Sequence, residues 1–327
     1  MTKEEQLKKA FSQGQGWDYK NEKVLPEDAI YEQVFGAGRA EPFNWIAYLP
    51  EKESQGSTTF CVTYSALNCA ETRAKQRGYT DEQETEINLS DRNLGVISGT
   101  NKVGNNLNKV AETFRKEGVV KEKECQWKPE WLENQTKYWN EIFDLSDVSP
   151  EARYFKGPNH SWVANDIQGL KNALADSPLQ LGFGVGETWF DDIVTPPKKI
   201  EFYHAVECYY IDSKYIYIND SVFPALKKLT LNYPVLMAKS FRELPSEWKE
   251  LNKKKMTTEK LNQIYNELLV RDADSLADGY LGYDEEFVRA EVGESEERKR
   301  IIRIIELARE LGGKNLEGIE GVIEKLR

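Results

Sequence analysis

Residues 55–66 read Gln-Gly-Ser-Thr-Thr-Phe-Cys-Val-Thr-Tyr-Ser-Ala, and this stretch governs the interpretation of the whole chain. Gln55 lies six residues before Cys61. The run that follows predicts a buried helix over residues 59–75, with Ser57 to Thr59 as candidate caps of its first turn. The amino terminus of a helix favours a thiolate over a thiol, and the thiolate is the nucleophilic form. Cys61 is therefore a candidate nucleophile.

Candidate partners for Cys61 lie far downstream. His204 belongs to an apolar strand predicted over residues 202–211, and Asn219 and Asp220 end the next strand. Cys, then His, then Asn or Asp is the order needed for a thiol nucleophile, its base and the group that orients the base. Neighbouring residues on a strand point to opposite faces, so only one of the last two reaches His204. The register favours Asp220 over Asn219.

The composition is that of a globular protein and limits its partners. The chain has 327 residues, of which 39% are hydrophobic and 30% charged, enough for one large and one small domain. Its net charge of −11 argues against nucleic acid as the main partner, because no basic field attracts phosphates. No signal peptide and no membrane span are visible in the sequence. We expect cytoplasmic synthesis, with virion association or later release left open.

The cysteines and histidines suggest neither a disulfide scaffold nor a metal site. The four cysteines are too few for a disulfide scaffold at this length, and no Cys-x-x-Cys or His-x-x-x-His pair is present. We therefore expect reduced thiols, no cofactor and no metal. The second histidine, His160, is expected in a loop without a catalytic role.

Helical patterns dominate the first half of the chain and strand patterns the second, which predicts an α+β fold of two subdomains. The turn at residues 212–214 joins two predicted strands as a hairpin. The predicted organisation is an amino-terminal extension, a catalytic domain, a polar linker and a helical module, over residues 1–44, 45–245, 246–256 and 257–327.

Over roughly residues 45–240 the sequence resembles the papain family of cysteine peptidases. Residues 55–66 match the family's nucleophile motif, which has a Gln six residues before the Cys. His204-Ala205-Val206 is similar to its His motif, and residues 215–221 are similar to its strand ending in the orienting Asn. Residues 89–94 resemble its Leu-Ser-Glu-Gln-x-Leu segment. Residues 104–107 fall where the family has a Gly-Gly turn that binds substrate, which makes Gly104, Asn105 and Asn106 candidate substrate-binding residues.

The resemblance implies a papain-like fold, with a helical half and an antiparallel β-barrel half, and the activity of a cysteine endopeptidase. Its partner would be a peptide or protein substrate. Cys61 would attack the peptide carbonyl and His204 would carry the proton to the leaving amine. Asp220 would orient His204, and Gln55 with the backbone N–H of Cys61 would bind the oxyanion.

The sequence also departs from the family pattern. Val62 and Val222 replace two tryptophans, the second of which shields the Asn–His hydrogen bond, and Asn105 and Asn106 occupy the Gly-Gly turn. Thr58 stands in place of a disulfide cysteine. These changes keep a second hypothesis open: a papain-fold structural or binding protein with weak or no activity, such as a phage or cell-surface component. A third is a cell-wall peptide hydrolase or acyl transferase that uses the same triad.

The two ends of the chain carry further expectations. Residues 1–44 are much shorter than the family's inhibitory propeptide, yet a segment of them is a candidate to lie in the cleft. Residues 261–274 resemble a helical module appended to bacterial surface and secreted proteins, with the pattern Tyr-x-x-Leu-Leu-x-Arg-x-x-Asp, and residues 294–297 match its later Ser-Glu element. This second resemblance implies a role in attachment or assembly and a bacterial or phage origin.

Overall fold

The computed structural model describes residues 2–12, 16–36, 41–79, 87–246 and 248. All of them belong to one compact unit, Met1–Lys249. The helical module predicted over residues 257–327 and most of the predicted linker lie outside the described residues. The domain boundaries and the attachment role of that module stay predictions.

Helices occupy most of the amino-terminal half of the described chain. The α-helices are α1 (Lys3–Ala10), α2 (Tyr31–Phe35), α3 (Cys61–Gln76), α4 (Asp91–Ile97), α5 (Leu107–Glu117), α6 (Pro129–Glu133), α7 (Trp139–Ile142) and α8 (Ile167–Leu174). Short 3-10 helices cover Tyr19–Asn21, Trp45–Tyr48 and Glu122–Glu124.

An antiparallel sheet occupies the carboxyl-terminal half. Its strands are β1 (His160–Val163), β2 (Leu179–Val185), β3 (Phe202–Ile211), β4 (Tyr215–Asn219), β5 (Leu226–Thr230) and β6 (Val235–Phe241), in the order β1-β6-β2-β3-β4-β5. All neighbouring pairs are antiparallel. The predicted hairpin is present, because Ile211 pairs with Ile216 across the turn. The α+β class and the antiparallel second half are therefore confirmed.

The prediction that His160 lies in a loop was wrong. His160 is the first residue of β1 and pairs with Phe241 of β6. Gly157, Pro158 and Asn159 favour a turn locally. The strand begins directly after them because a partner far along the chain supplies its hydrogen bonds.

The predicted hydroxyl caps of α3 were also wrong. The helix begins at Cys61 with Phe60 as its N-cap and without a capping side chain. The hydroxyls bind elsewhere: that of Ser57 donates to the carbonyls of residues 132 and 133, and that of Thr59 donates to the carbonyl of residue 101. They thereby tie the approach to Cys61 to neighbouring loops.

Helix α3 is the structural axis of the site because it is buried along most of its length and packs on β3. The amide of Gln180 on β2 donates to the carbonyl of Val62 and to the hydroxyl of Ser65, both at 2.8 Å. Further along the helix, Thr72 donates to Glu207 of β3 at 2.6 Å. Polar side chains near both ends of α3 therefore fix its position along the sheet, and this fixes the position of Cys61.

An apolar cluster fixes the residue before Cys61. Phe60 packs with Tyr64, Trp131 and Ile142, and all four side chains are buried. The ring of Phe60 lies against Gly95 of α4 so closely that a Cβ on this glycine would come within 2.1 Å of the ring. The start of α3 is thus set by an aromatic ring that has no room to move.

Substituting Gly95 tests this packing. We expect Gly95→Ala to destabilise the protein by about 1–3 kcal/mol, because the added methyl forces the Phe60 ring out of a filled cluster. Urea unfolding measures the effect. Phe60→Leu in the same chain removes the clashing ring atoms, so the double variant should lose less than the sum of the two single losses. Additive losses would show that the two residues do not compete for this space.

Candidate active site

The structure brings Cys61, His204 and Asp220 together. Cys61 is the first residue of α3, His204 lies on β3, and Asp220 directly follows β4. The Nε2–H of His204 donates to Oδ1 of Asp220 at 2.6 Å. The other ring nitrogen, Nδ1, has no hydrogen bond of good geometry among the described residues, although Cys61 is close enough to act on the ring. The thiol of Cys61 is therefore next to the imidazole of His204, but the two do not form a hydrogen bond of good geometry.

The electrostatics of these buried groups favour a charged pair. Burial lowers the pKa of His204, but the negative charges of Asp220 and Cys61 outweigh it and raise the pKa to about 9. Burial raises the pKa of Asp220, but Lys227 and His204 outweigh it and lower the pKa to about 2. At neutral pH the imidazole is therefore protonated and faces an ionised carboxylate.

The strand register places Asp220, and not Asn219, at His204. The side chain of Asn219 points to the opposite face and donates to Glu207 at 3.0 Å. Asp220 is in turn held by the backbone N–H of Val222, which donates to Oδ1 at 2.9 Å. The alternation of side chains along β4 accounts for this choice.

Gln55 is buried beside the same site and both ends of its amide are engaged. Its oxygen accepts from the hydroxyl of Ser221 at 2.6 Å, and its nitrogen donates to the carbonyl of Thr58 at 2.7 Å. Its backbone N–H donates to the carbonyl of Ser221 at 3.1 Å. Gln55 is thereby anchored to the loop that follows Asp220. An amide nitrogen carries two hydrogens, so one donor remains besides the bond to Thr58.

Sequence reasoning missed Trp189, which covers the His204–Asp220 contact. Trp189 is fully buried and stands edge-on to the imidazole, with ring centroids 5.6 Å apart at 89°. Its indole N–H donates to Oδ2 of Asp220 at 3.1 Å. Position 222 holds Val, and the loop after β2 provides a tryptophan beside His204 in its place. A Trp in a polar loop shortly before the His strand was the available signal.

Sequence reasoning also missed Lys227, whose ammonium lies 2.5 Å from Oδ2 of Asp220. The strand of Lys227 reads Leu-Lys-Lys-Leu-Thr over residues 226–230, and side chains alternate between the faces of a strand. One of its two adjacent lysines must therefore point inward with Leu229. This alternation predicts a buried lysine on β5, and a buried lysine requires a partner of opposite charge.

The three candidate substrate-binding residues contact a segment from the amino-terminal part of the chain. We call Gly16–Asp18 the cleft segment. The backbone of Asn105 accepts from the N–H of Asp18 at 2.9 Å and donates to the carbonyl of Gly16 at 3.1 Å, in a parallel bridge. A Cβ on Gly104 would lie 2.2 Å from the carbonyl of Gly16. The side chain of Asn106 donates to the carbonyl of Asp18 at 3.0 Å.

The change from Gly to Asn at position 105 leaves the backbone free to pair. The side-chain amide of Asn105 is buried and donates to the hydroxyls of Ser98 and Thr100, at 2.9 and 3.1 Å. The side chain thus turns away from the cleft, and both backbone groups of Asn105 face the cleft segment.

The cleft segment lies directly on the sulfur of Cys61. Gly16 has φ +79°, and a Cβ there would come within 2.6 Å of Sγ. The next residue, Trp17, is fully buried against Gly182 of β2, and its indole N–H donates to Glu22 at 3.1 Å. This explains why Cys61 has no exposed surface. Only a residue without a side chain fits at position 16.

A cavity of about 970 Å³ lies beside the loop that follows Asp220. It is bounded by α1, by Gly56 and Ser57, and by the loop of Val222 to Pro224. The loop that follows Asp220 therefore also forms one wall of this open space.

His160, the other histidine of the chain, has different contacts from those of His204. His160 contacts Glu112 at 2.9 Å, and burial together with the charge of Lys239 lowers its pKa to about 3. Within the described ranges, no cluster of three or more His, Cys, Asp or Glu side chains is arranged to hold a metal ion. No helix in the described part of the chain has the length and apolar character of a membrane span.

Several solved structures that align with this chain are cysteine proteases. Xylellain, a cysteine protease from Xylella fastidiosa, aligns with a TM-score of 0.53 at 19% identity, over 71% of this chain and 97% of that chain. The ragweed pollen allergen Amb a 11 cysteine protease in its proform aligns with a TM-score of 0.55 at 15% identity, over 75% and 72% of the two chains. Procathepsin B from Trypanosoma congolense aligns with a TM-score of 0.53 at 12% identity, over 71% and 88%.

No protein-family model and no curated protein sequence matches this chain. Because these structural neighbours are only 12–19% identical in sequence, the similarity establishes the fold alone. The reaction has to be inferred from the residues of the site. The described unit has the α+β fold of the papain-like cysteine proteases.

The raised pKa of His204 predicts how stability changes with pH. A group whose pKa is higher in the folded protein stabilises it fully below the ordinary value of 6.5, and this contribution is lost as the pH rises through about 9. We therefore expect wild type to lose about 3 kcal/mol relative to His204→Gln between about pH 6 and about pH 10. Urea unfolding of both proteins measures this difference, and groups that do not interact with His204 cancel. A difference that stays constant with pH would contradict the charged pair.

Proposed function

We propose that this chain is a cysteine endopeptidase that hydrolyses peptide bonds through Cys61, His204 and Asp220. The observation that carries the proposal is the buried His204–Asp220 hydrogen bond at 2.6 Å, beside a cysteine at the first residue of α3. An imidazolium next to a helix amino terminus is the environment that stabilises a thiolate. The fold shared with known cysteine proteases supports the same reading.

In the first half-reaction the thiolate of Cys61 attacks the carbonyl carbon of the scissile bond. The oxygen that becomes negative is bound by the remaining amide hydrogen of Gln55 and by the backbone N–H of Cys61. The imidazolium of His204 gives its Nδ1 proton to the leaving amine, the C–N bond breaks and a thioester forms. Asp220 holds Nε2 throughout, which directs Nδ1 to the reacting atoms.

In the second half-reaction water replaces the amine. Neutral His204 takes a proton from the water at Nδ1 as the oxygen attacks the thioester carbon. The C–S bond breaks, the carboxylic acid product leaves, and thiolate and imidazolium are restored. No cofactor takes part in either step.

We further propose that the described arrangement is the closed form of this enzyme. Gly16 occupies the space above Sγ that the substrate carbonyl needs. Its own carbonyl accepts from the N–H of Asn105, so this carbonyl is already engaged by a group other than Gln55. The cleft segment acts as a blocker and must leave before a substrate enters.

Covalent labelling tests the proposed nucleophile. We expect an epoxide or vinyl-sulfone probe to modify wild type at Cys61 under reducing conditions, and to leave Cys61→Ala unmodified. Cys69, Cys125 and Cys208 are buried and serve as internal controls, because burial raises the pKa of each of these thiols. Mass spectrometry of the digested protein assigns the modified residue.

The same experiment separates the peptidase from a catalytically inactive binding protein. An active site that is only closed should be labelled faster once the cleft segment is weakened. Failure of the probe to react with wild type and with the variants of the cleft segment described next would contradict the peptidase and favour the binding protein.

Two substitutions weaken the cleft segment independently. Gly16→Ala places a methyl within 2.6 Å of the sulfur, and Trp17→Ala removes a fully buried indole and its bond to Glu22. We expect either variant to raise the rate of Cys61 labelling and of peptide hydrolysis by about tenfold or more, since each costs the closed form more than about 1.4 kcal/mol. Val24→Ala is the matched control, because Val24 lies in the same part of the chain and is 47% exposed. Equal rates in all four proteins would contradict the closed form.

A further inference from the structure

The ammonium of Lys227 is buried and fully satisfied. Lys227 lies on β5 with 4% of its surface exposed. Its Nζ donates to Oδ2 of Asp220 at 2.5 Å, to the carbonyl of Val222 at 2.6 Å and to the carbonyl of Pro224 at 2.7 Å. An ammonium has three N–H donors, so these three acceptors use all of them. This geometry suits a charged lysine held in one position.

The partner of Lys227 is the carboxylate that orients His204. A bare carboxylate beside an imidazolium stabilises its charge strongly and opposes release of the proton. A lysine bound to the other carboxylate oxygen cancels most of that charge. Asp220 and Lys227 together then present His204 with a hydrogen-bond acceptor whose net charge is zero.

We propose that Lys227 is a positioning residue for the Cys61–His204 pair: its ammonium neutralises Asp220 and fixes the loop of residues 222–224 beside the reacting atoms. This proposal rests on the proposed peptidase function for its consequence in catalysis. Its electrostatic part concerns only buried groups and is measurable without any turnover.

The loop contacts give Lys227 a second effect. Val222 and Pro224 border the open cavity next to the site, and Lys227 holds the carbonyls of both. The backbone N–H of Val222 also donates to Asp220. Removing the ammonium therefore frees the loop at two points and takes away one of the two cations that contact Asp220.

The electrostatic test is an NMR titration of His204 in the full chain. The protein has two histidines, so His160→Gln assigns both imidazoles, and Cys61→Ala prevents the ring from sharing its proton with the thiol. We expect Lys227→Met to raise the pKa of His204 by about one pH unit and Asp220→Asn to lower it, since each removes one charge of opposite sign. Lys227→Arg should stay close to the parent protein.

Lys228→Gln is the matched control, because Lys228 neighbours Lys227 on β5 and is exposed. Lys227→Gln keeps a hydrogen-bond donor for the loop and loses the charge, so it separates the two effects and replaces Lys227→Met should that variant not fold. An unchanged His204 pKa in Lys227→Gln or Lys227→Met, with the loop intact, would overturn the proposal.

The catalytic test uses the double variant. Asp220→Asn removes the negative charge that His204 and Lys227 share, and Lys227→Met removes one of the two cations bound to Asp220, so we expect each to lower kcat/KM by about tenfold or more. Asp220→Asn with Lys227→Met removes both charges and should recover much of the loss. Losses that simply add would overturn the pairing.

The two proposals fail in different ways. Wild type that neither hydrolyses peptides nor reacts with the probe, but whose His204 pKa responds to Lys227, would overturn the peptidase and leave the electrostatic role of Lys227 standing. Suppose instead that wild type is active and that Lys227→Gln changes neither the pKa of His204 nor kcat/KM. This result would overturn the role of Lys227 alone.

Discussion

The hydrogen bond between His204 and Asp220 is the interaction on which the rest of this structure depends. Both side chains are fully buried, and an unpaired charge in such a place costs several kcal/mol or more. The pair is tolerated because each remaining acceptor site is filled, by Trp189, by Lys227 and by the backbone of Val222. The pair and these three groups come from four separate stretches of chain. The register of β3, β4 and β5 is therefore specified by polar contacts as well as by the apolar core.

The chain's own cleft segment buries the sulfur of Cys61. Gly16 covers Cys61, and Trp17 fills the pocket beside Gly182. Excluding water strengthens every charge interaction in the site, which stabilises the closed form. In the proposed enzyme the same contacts would keep a substrate out. Stability of the described arrangement and access to Cys61 would then be opposed, and freeing Trp17 would expose the sulfur.

Local patterns were sufficient to predict the helix of Cys61, the strand of His204 and the choice of Asp220, because periodicity and parity act within a few residues. They were insufficient where a distant partner decides. His160 follows a turn signal, yet it pairs with β6. The shield over His204 comes from Trp189 although position 222 holds Val, since the fold brings a different loop to the same place. The inward direction of Lys227 was readable from parity, but its partner was not.

The departures from the papain family's pattern form a connected set. An aspartate in place of the orienting asparagine adds a charge, and Lys227 supplies the opposite charge at 2.5 Å. The loss of a tryptophan at position 222 removes a shield, and Trp189 provides another that also binds Asp220. Asn105 adds a side chain to the turn whose backbone pairs with the cleft segment. The hydroxyls of Ser98 and Thr100 bind this side chain, so it does not block the backbone pairing. In each case a second residue offsets the first change. Each of these residues in this chain is thus accompanied by a contact that offsets its added charge, its missing ring or its added side chain.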